Sequence, residues 1–474
     1  MATTDTVRQR HHTLLPATVF GLQFLVGLDM SLVNIALPDI QRELGFSASG
    51  LQWVVNAYLL GFAGFLLVGG RLGDVLGRRV VVPAGLAVFA AASLIGGLAT
   101  DPAMLVIARA VQGLAAATLA PAALALVTTI DEPAARKRAM ALWGAASAAG
   151  GAVGVVAGGL LTDWLDWRAV LLVNLPIVAV ILAVALRGIP VRQQRTRSRV
   201  DLLGGTLVTG GTAALVYAVT ATGDHGWSSW QTLVGAAAAV LLLAGFGVTE
   251  RFGAHPLMPV RVLATRSIVG ANVFGFLLAA GQLAAFYFCS LYIQTVWEVS
   301  PRLAGVLFLP FCGFVVVGIA LASKLAPRLG ARGTITVLGL VGAAGLAGFA
   351  RMPEHFSFWT GVLVPSMLAA TGIGGSMMLV GIAGTAGVSP ADAGIASGVL
   401  NSSRQLGGTI GLAVLVTIAA GQAIPADGYR LGLAVAAGFL VLGSGAAWLI
   451  LPRTPAAAPP AAGVEPAPVD AGRS

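Results

Sequence analysis

Fourteen apolar runs, each close to the length needed to cross a bilayer, recur along this 474-residue chain. About 20 helical residues rising 1.5 Å each span the roughly 30 Å of hydrocarbon. The runs are Leu14–Leu37, Leu51–Gly70, Val80–Ala99, Ala103–Thr128, Ala139–Leu161, Val170–Leu186, Leu202–Thr222, Trp230–Val248, Ile268–Ile293, Leu303–Ala322, Thr334–Ala350, Phe356–Ile382, Ile395–Ala419 and Leu431–Leu451. Lipid offers a backbone no hydrogen-bond partner, so each run must satisfy its own N–H and C=O groups as a helix. Composition agrees: 57% of residues are hydrophobic and 10% charged, against about 25% charged in a soluble domain. The predicted fold class is an all-α integral membrane protein.

Loop charge tests the count. With the N-terminus inside the cell, the inner segments hold 21 of the 28 basic residues and the outer segments five, Arg42, Arg168, Arg302, Arg351 and Arg430. A missed span would scramble this alternation, so the positive-inside rule predicts fourteen crossings with both termini cytoplasmic. The net charge of +9 is spread between apolar runs, which argues against nucleic acid as a partner. Cys289 and Cys312 fall in apolar runs and read as small core residues.

The expected organisation is a cytoplasmic N-terminus (1–13), a six-helix bundle (14–186), a basic linker (187–200) and two additional helices (201–250). A cytoplasmic linker (251–267), a second six-helix bundle (268–452) and a Pro- and Ala-rich disordered tail (453–474) follow. The two sixes echo each other. Gly70-Arg-Leu-Gly-Asp74-Val-Leu-Gly77-Arg78-Arg79 follows the second run of the first six, and Ser323-Lys-Leu-Ala-Pro-Arg328-Leu-Gly330-Ala-Arg332 the second run of the last six. Internal repeats of this kind typify secondary transporters, with the substrate site between them.

Two charges lie deep inside apolar runs, Asp29 in the first and Arg109 in the fourth. Insertion at that depth costs at least ~2.5–3.5 kcal/mol per charge, so such residues ordinarily have a task. A carboxyl that alternates between wet and dry, or paired and unpaired, surroundings takes up and releases a proton. A guanidinium stays charged. Asp29 and Arg109 are therefore the expected proton-coupling pair, linked through Gln112. In the turn after the second run, Gly70 and Gly77 permit a tight reversal. Asp74, Arg78 and Arg79, with Asp131 at the end of the fourth run, form an expected conformational latch. Gly150, Gly154 and Gly158, spaced by four, and Gly159 put a groove on one face of the fifth helix, where backbones can touch.

Several of these patterns together resemble the major facilitator superfamily. Gly-x-Leu-x-Asp-x-x-Gly-Arg-Arg at 70–79 resembles its loop between helices two and three. Leu28-Asp29-Met-Ser-Leu-Val-Asn34-Ile-Ala-Leu37-Pro38, Arg109-Ala-Val-Gln112-Gly113, Trp164-Leu-Asp-Trp167-Arg168 with Asn174-Leu-Pro176, and Asn401-Ser-Ser-Arg404-Gln405-Leu-Gly407-Gly408 resemble motifs of its fourteen-helix drug:proton antiporter branch. Gly154-Val155-Val-Ala-Gly158-Gly159 resembles the branch's Gly-Pro-x-x-Gly-Gly, with Val155 in the proline position. That departure predicts a straighter helix. The resemblance covers Leu14 to Leu451. It implies two six-helix bundles plus two additional helices, and export of small organic or antibiotic-like compounds in exchange for protons by alternating access.

Polar and aromatic residues inside the runs are candidates for a substrate cavity: Asn34, Asn56, Tyr58, Gln112, Gln282, Phe286, Tyr287, Tyr292, Gln294 and Asn401. A large apolar cavity with a few polar groups suits amphiphilic cargo. No His cluster, nucleophile arrangement or phosphate-binding loop is present, and the two lysines, Lys137 and Lys324, follow no Gly-x-x-x-x-Gly pattern. An enzyme, an ATP-driven pump, a metal site and a cofactor are accordingly not expected. The expected partners are the lipid bilayer, a small-molecule substrate and protons, and the expected functional unit is a monomer. Few lysines beside abundant Ala, Gly and Arg suggest a bacterial chain in the cytoplasmic membrane. The alternative on the same fold is a proton-coupled importer or symporter of a small organic solute.

Overall fold

In the computed structural model of the chain, the described residues are 2–47, 49–128, 130, 132–189, 202–252, 265–386 and 393–453. They are overwhelmingly helical, and no strand occurs among them. The first half comprises α1 (Ala2–Leu44), α2 (Trp53–Leu76), α3 (Arg78–Gly97), α4 (Pro102–Thr128), α5 (Pro133–Trp164), α6 (Trp167–Leu172) and α7 (Asn174–Gly188). Two helices follow, α8 (Leu202–His225) and α9 (Trp230–Phe252). The last part comprises α10 (Arg266–Leu291), α11 (Pro301–Leu307), α12 (Leu309–Phe349), α13 (Val364–Ala383), α14 (Ala393–Ala420) and α15 (Pro425–Ile450).

Twelve of the described helical segments are long and apolar enough to cross a membrane, and a thirteenth, α2, is bent by 53° between Leu66 and Val68. One of the twelve, Pro301–Phe349, is 49 residues long. It is two crossings. At Gly330 the backbone leaves helical geometry (φ 69°, ψ 170°). A β-carbon on Gly375 would touch both Gly318, at 2.6 Å from its carbonyl oxygen, and Leu338, at 2.6 Å from Cδ1. Twenty residues of straight helix would hold Gly318 and Leu338 about 30 Å apart, so the chain doubles back at Gly330. Counting each arm brings the total among the described residues to fourteen.

The weak sequence repeat has a structural counterpart. Gly77 aligns with Gly330, and Gly77 also adopts a positive φ (88°, with ψ 138°) between α2 and α3. Only glycine takes these angles without strain, which fixes a glycine at the same turn in each half. Gly77→Ala is expected to destabilise the protein by about 1–3 kcal/mol, read as a lower Tm of the detergent-solubilised protein. An unchanged Tm would show that the turn relaxes.

Packing repeats as well. The first helix of each half lies on the fifth (α1 on α5, α10 on α14), and the second on the fourth (α2 on α4, α12 on α13). Across the halves, α5 meets α11 and α2 meets α14. Small residues make these approaches possible. A β-carbon on Gly150, Gly154 or Gly158 would lie 2.6–2.7 Å from the carbonyl oxygens of Phe24, Leu28 and Leu32 on α1. The helical path of α5 runs unbroken from Pro133 to Trp164 through Val155.

Among the described residues, side-chain bonds from α10 to α1 and close glycine contacts between α5 and α11 join the two halves. Pro38, inside α1, has no N–H to give the Asn34 carbonyl four residues earlier. That carbonyl instead accepts the Ser290 hydroxyl of α10 at 2.8 Å, and the next one, Ile35, accepts Gln294 Nε2 at 3.0 Å. Gly159 meets Pro301, and Gly305 meets Val155; a β-carbon at either would stand 2.4 and 2.6 Å from the opposing carbonyl oxygen. The additional helix α8 bridges the same seam. Its Thr220 hydroxyl accepts Gln52 Nε2 of the first half at 3.2 Å, and its Val219 carbonyl accepts the Thr417 hydroxyl of α14 at 3.3 Å. Its partner α9 packs on α8 and leaves Leu233, Val240, Leu241 and Phe252 exposed, as a lipid-facing helix does.

Candidate functional site

The two deep charges meet. Arg109 Nη1 on α4 donates to Asp29 Oδ2 on α1 at 2.6 Å, and both side chains are essentially inaccessible, at 2% and 0%. Five helices enclose the pair. Gln112, one turn beyond Arg109, accepts from Nη1 at 2.9 Å through Oε1 and donates through Nε2 to Asp29 Oδ1 at 3.3 Å and to Ser93 Oγ of α3 at 2.7 Å. Asn174, the first residue of α7, donates to Asp29 Oδ1 at 2.8 Å. Arg109 Nε donates to the Val54 carbonyl of α2 at 3.1 Å, and the guanidinium carbon stands 4.4 Å from the centre of the Tyr58 ring.

Each element of this site has a local reason. Arg109 and Gln112 are three residues apart and share one helix face. Gly113 lets α4 approach α2 so closely that a β-carbon there would be 2.1 Å from the Tyr58 carbonyl oxygen; the Arg109 side chain reaches Val54 across that contact. Asp29 accepts three donors, which compensates a desolvated carboxylate better than a single partner does. The network is therefore a compact buried tie between α1 and the rest of the first half.

The expected residues divide. Asp29, Arg109 and Gln112 come together as the sequence predicts. Tyr58 and Gln112, expected in a substrate cavity, belong instead to the charge network. Asn56 is buried beside it and donates to Gln52 at 3.3 Å. Asn34 is buried, donates to the Met30 carbonyl, and leaves its own side-chain oxygen without a partner among the described residues. Tyr292 is tied at the far end of α10, donating to the Met352 and Pro353 carbonyls and accepting Arg430 Nη2 at 2.8 Å. Gln294 lines a cavity of about 480 Å³ at the seam between halves, and Tyr287 one of about 600 Å³ near the ends of α10, α14 and α15. Phe286 stacks on Phe308 at 5.5 Å and meets Phe311 edge-on at 5.0 Å. Gln282 and Asn401 are half-buried. The ten residues do not converge on one pocket.

Of the expected latch, Arg78 Nη2 lies 3.4 Å from Asp74 Oδ1 across the Gly77 turn. Gly70 faces Pro121 of α4, and Arg79 is exposed. Asp131 lies outside the described residues. Ser93 and Asn174 were not among the expected site residues. Asn174 carried a signal, an amide inside an apolar run; Ser93, in Ala-Ala-Ser-Leu, carried none.

Comparison with known proteins accords with this geometry. A family profile described as Major Facilitator Superfamily matches residues 19–412. The puromycin resistance protein pur8 of Streptomyces alboniger is 41% identical over 462 residues, covering 93% of this chain and 91% of the relative. The cephamycin export protein CmcT of Amycolatopsis lactamdurans is 42% identical over 402 residues, covering 83% and 82%. The tetracenomycin C resistance and export protein of Streptomyces glaucescens is 33% identical over 423 residues, covering 88% and 77%. Among solved structures, the human organic anion transporter MFSD10 (TETRAN) shares the fold, with a TM-score of 0.60 at 16% identity over 92% of this chain and 99% of that one. A multi-pass helical chain with a buried ion pair at its centre, matched by this profile and by these relatives over most of its length, is a membrane transport protein and not an enzyme: the chain belongs to the major facilitator superfamily.

Proposed function

We propose that this protein exports small organic, antibiotic-like compounds across a bacterial cytoplasmic membrane in exchange for protons. The observation that carries the reading is the buried Asp29–Arg109 pair with its Gln112 and Asn174 partners. Export as the direction is supported by relatives named for resistance to, or export of, puromycin, cephamycin and tetracenomycin C. The mechanism is alternating access of two six-helix bundles, residues 14–186 and 268–452, about a site between them. With both termini inside, as loop charge indicates, the seam at Asn34–Ser290 and Gly159–Pro301 is the outer gate, and the arrangement described here faces the cytoplasm.

In the cycle, cargo enters from the cytoplasm while Asp29 is ionised and held by Arg109. A proton from outside neutralises Asp29, loosens the tie between α1 and α4, and accompanies the return of the empty carrier. At a membrane potential of ~100 mV, one charge supplies about 2.3 kcal/mol, equal to a roughly fiftyfold concentration ratio. The turn at Gly70, Asp74, Gly77, Arg78 and Arg79 with Asp131 acts as the cytoplasmic latch. The glycine face of α5 lets that helix slide on α1.

Asp29→Asn tests the coupling. Asparagine keeps the size and an acceptor oxygen but takes up no proton in the working range. In everted vesicles energised by a pH gradient, the variant is expected to lose at least about 90% of proton-driven puromycin or cephamycin accumulation while remaining in the membrane. Wild-type rates in the variant would remove Asp29 from coupling. Greater drug sensitivity on wild-type expression would favour import.

A further inference from the structure

A half-buried arginine, Arg404, lies inside an apolar run of the other half, and it is not compensated as Arg109 is. Arg404 lies on α14, where that helix meets α10 and α13. Its Cγ lies 3.1 Å from where a β-carbon on Gly275 of α10 would stand. Nη2 is 3.3 Å from the Met377 sulfur of α13, and Nε has no partner among the described residues. The sequence offers little to neutralise it. Between residues 265 and 453 the only acidic residues are Glu298, Glu354, Asp392 and Asp427. Glu298 and Glu354 sit beyond the far ends of α10 and α12, and Asp427 pairs with Arg430 at the start of α15. Asp392 lies outside the described residues.

Gly275 and Phe286 are eleven residues apart on α10, three turns, and so share a face. Ser290, one turn beyond Phe286, bonds Asn34 in the first half. Arg404 thus sits beside the Gly275 face of α10, about 16 Å along the helix from Phe286. Along that face lie the Met377 thioether beside Arg404 and, about three turns away, the aromatic group Phe286, Phe308 and Phe311. Soft and aromatic surface of this kind accepts ring-bearing cargo without demanding one shape.

We propose that Arg404 receives an acidic group on the exported compound, which makes amphiphilic anions a substrate class of this carrier. A guanidinium inside an apolar span with no acidic partner among the described residues is costly, and an incoming carboxylate or sulfonate relieves that cost with paired N–H donors. A cationic cargo meets like charge there. The inference rests on the export reading for its biological sense, but its test does not.

The test uses purified protein in phosphatidylcholine nanodiscs and two fluorescent probes. 1-Anilinonaphthalene-8-sulfonate is an anion, and N-phenyl-1-naphthylamine is its neutral counterpart without the sulfonate. Saturable binding of the anion to wild type is expected, weakened about tenfold or more in Arg404→Gln and only a few-fold in Arg404→Lys. Binding of the neutral probe should be the same in all three. Absence of saturable anion binding to wild type overturns the proposal. So does equal weakening of both probes in a variant that melts like wild type. Displacement of the anion when phosphatidylglycerol is added to the discs would assign Arg404 to a lipid headgroup and overturn it too. Should Arg404→Gln not fold, competition on wild type decides. Benzoate should displace the anion where benzamide does not, and equal displacement overturns the proposal. Proton-driven export by wild-type vesicles is a separate readout, so either reading can fail alone.

Discussion

Arg109→Met should destabilise the protein by about 3–5 kcal/mol, the usual cost of leaving the partner charge buried and unpaired. Arg109 answers Asp29 at 2.6 Å in a site closed to solvent, and its loss also takes the Arg109 donor from the Gln112 oxygen. The expected result is a sharply lower Tm in detergent and poor membrane yield. The informative comparison is the double variant Asp29→Asn, Arg109→Met. Removing both charges removes the uncompensated one, so the double variant should recover most of the lost stability, a coupling of a few kcal/mol in the thermodynamic cycle. It should not recover proton-driven transport. Additive losses would show that the pair is not the energetic centre of the site. Recovered transport would show that protons pass elsewhere.

Gly159→Leu is the second large effect, and it acts on the cycle more than on folding. Gly159 of α5 and Gly305 of α11 form the closest approach of the two halves, with clearances of 2.4 and 2.6 Å for an added β-carbon against opposing backbone. Backbone cannot swing aside as a side chain can. A leucine at 159 must therefore part the halves at this seam. Each half keeps its own packing, since Gly159 faces Pro301 across the seam while Gly150, Gly154 and Gly158 face α1. Transport should fall at least about tenfold with Tm changed by only a few degrees. A cysteine at Gln294 should become reactive to an impermeant thiol reagent from outside. Retained transport, or no gain in outside labelling, would mean that this seam is not the gate.

The sequence alone carried the class, the crossings and the charges. Apolar runs of bilayer length leave helices as the one viable backbone, because that follows from the solvent and not from the fold. Asp29 and Arg109 were conspicuous for the same reason: an ion in hydrocarbon is improbable unless something answers it. Gly77 and Gly330 could be matched because a positive φ admits few other residues.

Tertiary structure decided what these residues touch. Asp29 and Arg109 are 80 residues apart, and no periodicity reports a contact between helices. Nothing in Ala-Ala-Ser-Leu announces that Ser93 accepts from Gln112, and nothing local to Tyr58 announces that its ring lies against a guanidinium. Pro38 shows the limit well. The sequence says that the Asn34 carbonyl loses its helical donor, but only the packing of α10 supplies Ser290 in its place. Hydropathy and backbone stereochemistry are local and additive, so a chain displays them openly. Pairing across helices depends on how whole surfaces fit, which exists only once the halves have assembled.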